Sequence, residues 1–299
     1  MKAEVPHSKK HPSTVEVAAA AAVAAVNPDT AQKAYLKILE QEINEGIREL
    51  QRPTWGLLIS GLSAGLDVSF SVLVMAVILT TTHGAPGLLN AVFLAGAYAV
   101  GYIFVVMGRS ELFTEHTTRS VYPVLHGSAN MWSLLRLWGL IYVSNLAGCV
   151  LFAKLISIIG PGLGVIEPWS LGQLARTLTV HDGWVIFVSA ILAGWLMGLL
   201  SWLVTAGRDT ISQIVLVALI TGAIGICHLH HSIVGTTEVL VAIFAHQGVT
   251  LRQFGNFLLY ATLGNGIGGI VFVALIKYGH VMISTKSPDH VNLEKAPSG

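Results

Sequence analysis

Six stretches of this chain, 56–80, 91–108, 137–153, 183–207, 211–245 and 254–276, are apolar and nearly free of charge. Only the first and fifth hold an Asp, Glu, Lys or Arg. A helix rises ~1.5 Å per residue, so about 20 apolar residues cross a ~30 Å hydrocarbon layer. Several of the stretches meet that length. A membrane β-barrel would instead read as roughly ten-residue alternations, and none occur here. Hydrophobic residues make up 53% of the 299 and charged residues 11%, whereas a soluble domain is about one quarter charged. The chain reads as an all-α membrane protein with six transmembrane helices, its solvent the lipid bilayer.

The net charge of +1 argues against a nucleic-acid partner; the placement of the positive residues is more informative. With six crossings and a cytoplasmic N-terminus, 14 of the 17 Lys and Arg fall on the inner side, leaving Lys154, Arg176 and Arg252 outside. The positive-inside rule then places both termini in the cytoplasm of a multi-pass protein of a bacterial-type inner membrane. Cys149 and Cys227 are isolated thiols in apolar runs without a C-x-x-C pattern, and read as packing residues.

Residues 1–30 are low in complexity. Their Ala/Val run resembles a signal-peptide core, but Glu16 abuts it and a charged helix follows, which favours a disordered tail. Over 31–52, Leu36, Leu39, Ile43, Ile47 and Leu50 follow 3/4 spacing among charged residues, giving an amphipathic cytoplasmic helix that ends at Pro53. It either rests on the inner membrane face or covers a pore mouth as a lid. The membrane domain spans 53–280, and a solvated C-terminal tail follows over 281–299.

Two of the six elements are interrupted. After Gly108 comes a polar run, Arg109-Ser110-Glu111-Leu112-Phe113-Thr114-Glu115-His116-Thr117. The stretch 211–245 would be ~52 Å long as one helix, and its centre carries Gly225, His228, His230, His231, Ser232, Gly235 and Glu238. Non-helical backbone at membrane depth is tolerated only where protein or a watery cavity surrounds it. Broken helices at matching places in two halves point to a transport site. The halves do match: Gly61-x-x-x-Gly65 pairs with Gly194-x-x-x-Gly198, and Asn145-x-x-Gly148 with Asn265-x-x-Gly268. Three crossings per half make this an inverted repeat.

Asp67 and Glu238 lie at membrane depth, where carboxylates are costly and often functional. The plainer reading is that each bonds a neighbouring helix. The cluster His228-Leu229-His230-His231 has a metal reading, but adjacent His230 and His231 point apart on a helix, and no metal or other cofactor is expected. The other readings are a pore-facing histidine, titrating near neutrality, and an interior histidine held by hydrogen bonds.

At these two breaks the sequence resembles the formate/nitrite transporter family. Leu112-Phe113-Thr114-Glu115 is similar to the loop that interrupts that family's second helix, and His231-Ser232-Ile233 to the segment carrying its pore histidine. Ile191-Leu192-Ala193 and Trp202 fall where the fourth helix has similar residues. The resemblance implies an aquaporin-like inverted repeat, a homopentamer with one pore per protomer, and passage of small monovalent anions such as formate or nitrite, with a proton or without. It makes His231 the pore histidine and Thr114 the threonine facing it, with Tyr98, Leu112 and Phe113 at the constrictions. Glu238, Asp67, Glu115 and Ser232 are candidate supporting polar groups. Gly235, Gly194 and Leu178 stand where the family often has Asn, Asn and Lys, and the Gly235/Glu238 pattern is closer to its YfdC-like inner-membrane branch. The expected function is a channel or secondary transporter for weak-acid anions, not an enzyme. A water- or glycerol-type channel is the alternative, and a membrane metal or redox protein a more distant one.

Overall fold

The computed structural model describes Lys33 and residues 35–286. The tail expected over 1–30, and the C-terminal segment beyond 286, lie outside the described residues. The chain divides into two units, Met1–Lys33 and Ala34–Gly299; the architecture below is that of the second.

The amphipathic segment forms α1 (Tyr35–Gln51), which buries Ile38, Leu39, Ile43 and Leu50 together with Glu42. Pro53, lacking an N–H to donate, ends one helix and opens the next. Five helices are long and apolar enough to cross a bilayer: α2 (Thr54–Thr81), α3 (Leu88–Gly108), α6 (Met131–Gly162), α8 (Gly183–Ala206) and the run Leu251–Ser284. That last run joins α11 (Leu251–Gly269), a π-helical stretch (Ile270–Leu275) and α12 (Ile276–Lys286), so the helix extends past the expected boundary at 280. The stretch 211–245 is not one element. It is α9 (Thr210–Ile226) and α10 (Ser232–Phe244), 17 and 13 residues long. Short helices α4 (Phe113–Arg119), α5 (Tyr122–Leu125) and α7 (Pro168–Thr179) complete the order. Among the described residues there is no strand.

Capping side chains fix several starts. Asn130 accepts the Ser133 N–H at α6, Asp209 accepts the Ser212 N–H at α9, and Thr250 and Gln253 form a capping box at α11.

Two helix pairs organise the bundle: α2 on α6, and α8 on α11. Both rely on backbone approaching backbone. A Cβ built on Gly65 would lie 2.2 Å from the Asn145 carbonyl oxygen, and one on Gly194 would lie 2.2 Å from the Asn265 carbonyl oxygen. In lipid, such close dispersion contact and interhelical hydrogen bonds replace the hydrophobic drive. These contacts correct the register expected between the halves. Asn145 donates to the Gly61 carbonyl and Asn265 to the Ala190 carbonyl, so Gly61 and Gly65 correspond to Ala190 and Gly194. The Gly194/Gly198 pairing read from spacing is one helical turn out, because spacing alone cannot say which small residue faces the partner helix. Gly198 instead packs against Thr118 and Val273.

Candidate functional site

The two polar interruptions are built alike. Helix α3 ends with Arg109 in the left-handed region (φ 54°) and α9 is followed by His228 in the same conformation (φ 49°). At each end two N–H groups turn back to the helix: Arg109 to Val106 and Ser110 to Val105, His228 to Gly225 and Leu229 to Ile224. This is the Schellman pattern, which satisfies carbonyls a terminating helix leaves open. The linkers, 109–112 and 227–231, are then held by side chains of other helices. Ser60 accepts the Glu111 N–H and Ser189 accepts the His230 N–H. Asn145 accepts the Phe113 N–H while donating to the carbonyls of Gly61 and Glu111. Asn265 accepts the Ser232 N–H while donating to the carbonyls of Ala190 and His230. Each asparagine satisfies three buried backbone groups that water cannot reach. The sequence marked both asparagines as repeat signatures; their work at the linkers needed the fold to appear.

The linkers bring Thr114 and His231 together. Thr114 Oγ1 lies 2.8 Å from His231 Nε2, and both residues are buried. His231 caps α10, with Nδ1 accepting the Val234 N–H at 3.4 Å. An accepting Nδ1 leaves the proton on Nε2, so this network assigns a neutral imidazole that donates to Thr114. The Tyr102 ring meets His231 edge-on at 5.4 Å, and its hydroxyl donates to Tyr98 at 3.2 Å. Tyr102 was not singled out in the sequence. Its only signal is its place one helical turn beyond Tyr98.

The remaining expected residues fall in different places. Leu112 caps α4 and is buried. Phe113 turns its ring onto Tyr142 at 4.9 Å and Trp138 at 6.4 Å, both on α6. Asp67 accepts from Ser63 and Ser110, the second of these in the first linker, so it braces a break rather than meeting His231. Ser232 gives its N–H to Asn265, and its buried hydroxyl has no partner among the described residues. Glu115 pairs with Arg119 at 2.7 Å. The histidines of the cluster diverge, with His230 Nδ1 2.9 Å from the Ser189 hydroxyl and its ring 5.8 Å from that of His181.

Two cavities flank the His231–Thr114 pair in sequence terms. One, of about 520 Å³, lies among α1, the first linker and α4, lined by Glu45, Glu49, Arg52, Glu111, Glu115 and Arg119. Here α1 is anchored by charge: Glu42, fully buried, takes Arg119 Nε at 3.2 Å and the hydroxyls of Ser201 and Thr205. Arg52 bridges Glu49 and Glu111, and Glu111 also pairs closely with His116. Burial, followed by the facing Glu111 carboxylate, pushes the Glu49 carboxyl above its ordinary value. The other cavity, of about 90 Å³, is lined by Tyr98, Gln173, Thr177, His228 and Glu238 among apolar side chains. Gly235 and Leu178, the departures noted in the sequence, pack beside it with Phe257: a Cβ on Gly235 would lie 2.4 Å from that ring and 3.2 Å from Leu178.

Among the described residues, a bundle of helices, five of them long and apolar enough to cross a bilayer, with a buried polar pair at its interior fits a membrane channel or transporter. A family model described as formate/nitrite transporter matches residues 36–279. The chain belongs to the formate/nitrite transporter family. It is 27% identical over 258 residues to the Escherichia coli inner membrane protein YfdC, covering 86% of this chain and 82% of that protein. It is 30% identical over 244 residues to a probable formate transporter of Methanothermobacter thermautotrophicus, covering 75% and 88%. Among solved structures, a channel described as an FNT family ion channel superposes with a TM-score of 0.74 at 22% identity, covering 82% of this chain and 99% of that one. A pentameric formate channel with formate bound superposes with a TM-score of 0.65 at 22% identity, covering 77% and 98%.

Proposed function

We propose that the chain forms a homopentameric channel or secondary transporter of a bacterial-type inner membrane, passing small monovalent weak-acid anions of the formate and nitrite kind. What supports this most is the His231–Thr114 hydrogen bond, a buried polar pair between two linkers built to the same pattern in a chain of this family. In this reading the protein crosses the membrane six times in an inverted repeat, with both termini inside. Crossings two and five are α3 with α4 and α9 with α10, each interrupted by its linker. His231 offers the Nε2 proton, held by Thr114 when the pore is empty, to a passing oxyanion. Tyr98 and Leu112 narrow the passage, Phe113 backs the first linker against α6, and apolar walls exclude hydrated ions. Asp67 and Ser232 support the two linkers, and Glu115 belongs to the inner mouth.

Proteoliposome uptake of formate, nitrite, acetate and hydrosulfide, together with stopped-flow swelling in glycerol, tests the reading. The expected result is saturable or pH-dependent anion uptake without glycerol flux. His231→Asn should cut uptake at least tenfold and flatten its pH dependence. If uptake by that variant matches the parent chain from pH 5 to pH 8, the histidine mechanism is wrong.

A further inference from the structure

The cavity of about 520 Å³ among α1, the first linker and α4 is lined by four carboxylates and four arginines. Each carboxylate there is paired. Glu45 meets Arg48 and Arg119, Glu49 meets Arg52, Glu111 meets Arg52 and His116, and Glu115 meets Arg119. Arg109 differs from the other three arginines. It is exposed to the cavity, and among the described residues its side chain makes no hydrogen bond or ion pair. The nearby Asp67 carboxylate is taken by Ser63 and Ser110 instead. The backbone at Arg109 is as unusual as its charge. Four non-glycine residues of the described chain have positive φ, and His83, His228 and His246 are three of them. Histidine is among the types that tolerate this region. Arg109, at φ 54°, occupies a place that glycine would fill at lower cost. Such strain gathers at sites where a side chain has a task. Arg109 also opens the linker that leads to Thr114, the partner of His231.

Four unpaired carboxylates would repel an anion from this cavity, but their partners offset them. What an entering anion meets uncompensated is the Arg109 guanidinium. A guanidinium presents two parallel N–H groups, and this fork matches two coplanar oxygens carried on one atom. Formate and nitrite have that shape. We propose that Arg109 is the anion-docking residue of the mouth that α1 lines, receiving anions with two coplanar oxygens through a bidentate hydrogen bond before they reach Thr114 and His231. The arginine selects by shape as well as charge, and the left-handed backbone is the cost of placing it there. Docking at Arg109 precedes the exchange at His231 and is separate from it. This rests on the anion-transport reading above.

Sealed membrane vesicles from cells expressing the full chain, prepared in both orientations, test this. Tryptic cleavage before Thr54 reports which vesicles expose α1. Initial uptake of formate and nitrite is measured against external concentration, with vesicles lacking the chain subtracted. From the α1 side, Arg109→Gln should raise both half-saturating concentrations about tenfold, for loss of a charge-assisted pair, with the maximal rate within about twofold. Uptake from the opposite side should half-saturate as in the parent chain. Arg109→Lys keeps the charge but loses the fork, and should stay at least about threefold weaker than the parent. Arg109→Gly relieves the backbone and should melt higher in detergent while docking formate as poorly as the Gln variant. An arginine that only held the linker would give the reverse: a lower melting temperature and unchanged half-saturation. That result overturns the proposal, as does full recovery by Lys or an equal rise from both sides; uptake by the parent chain then leaves the transport reading intact. If neither formate nor nitrite enters with the parent chain, the transport reading fails and this proposal fails with it.

Discussion

Asn145 and Asn265 each bond three buried backbone groups, two at a linker and one on a neighbouring helix. Removing such a side chain leaves buried donors and acceptors unpaired, at about 1–3 kcal/mol each. Asn265→Ala should therefore cost at least about 3 kcal/mol, read as lost stability on denaturation in detergent. Asn265→Asp keeps the acceptor for Ser232 but loses both donated bonds, and should recover only part of it. A loss below 1 kcal/mol for Ala would show that the second linker is held by something else. The sequence located both polar breaks at 109–117 and 225–238 because glycine, histidine and carboxylate residues are anomalous in an apolar run. It also put Thr114 and His231 in one site, through family resemblance. It could not show that Tyr102 lies against His231, or that the Phe113 ring turns to α6. Those depend on helix rotation, which a uniformly apolar helix does not encode.

At the scale of elements, α1 is more than an amphipathic strip on a surface. Its Glu42 is buried on Arg119, Ser201 and Thr205. Breaking a buried pair leaves an uncompensated charge, typically costing about 3–5 kcal/mol. Arg119 keeps Glu45 and Glu115, so Glu42→Ala should loosen α1 by about 3 kcal/mol. Faster proteolysis within 35–51, with the rest of the bundle protected, would register this. The Glu49 carboxyl, raised by burial and by Glu111, binds its proton more tightly docked than free. Its contribution to docking is therefore greatest at low pH and is lost as pH rises through the raised value. Glu49→Gln should weaken the pH dependence of α1 protection between pH 5 and pH 7.5; an unchanged dependence would assign it to another group. The helix pairs make a sharper claim. Gly194→Ala puts a methyl where the Asn265 carbonyl already lies, and overpacking of this kind costs about 1–3 kcal/mol. Gly266→Ala, with open space at its Cβ position, should be nearly neutral in the same detergent melt.

For the whole molecule, the proposed pentamer predicts a native mass near five times 31.8 kDa after subtraction of bound detergent. Native mass spectrometry finding only monomers or dimers would remove it. The sequence by itself determined that this chain is helical and fit for a membrane, since lipid leaves backbone groups no partner but their own helix. It also marked polar residues within apolar runs, which are visible one at a time, and α3 and α9 end beside them. Only the tertiary structure decided the register between the halves, with Gly65 rather than Gly61 the counterpart of Gly194, because that depends on which residue meets an asparagine across the interface. It also decided that Glu238 lines a chamber with no Lys or Arg among the described residues, for what surrounds a carboxyl is set by how distant elements pack and not by the residue itself.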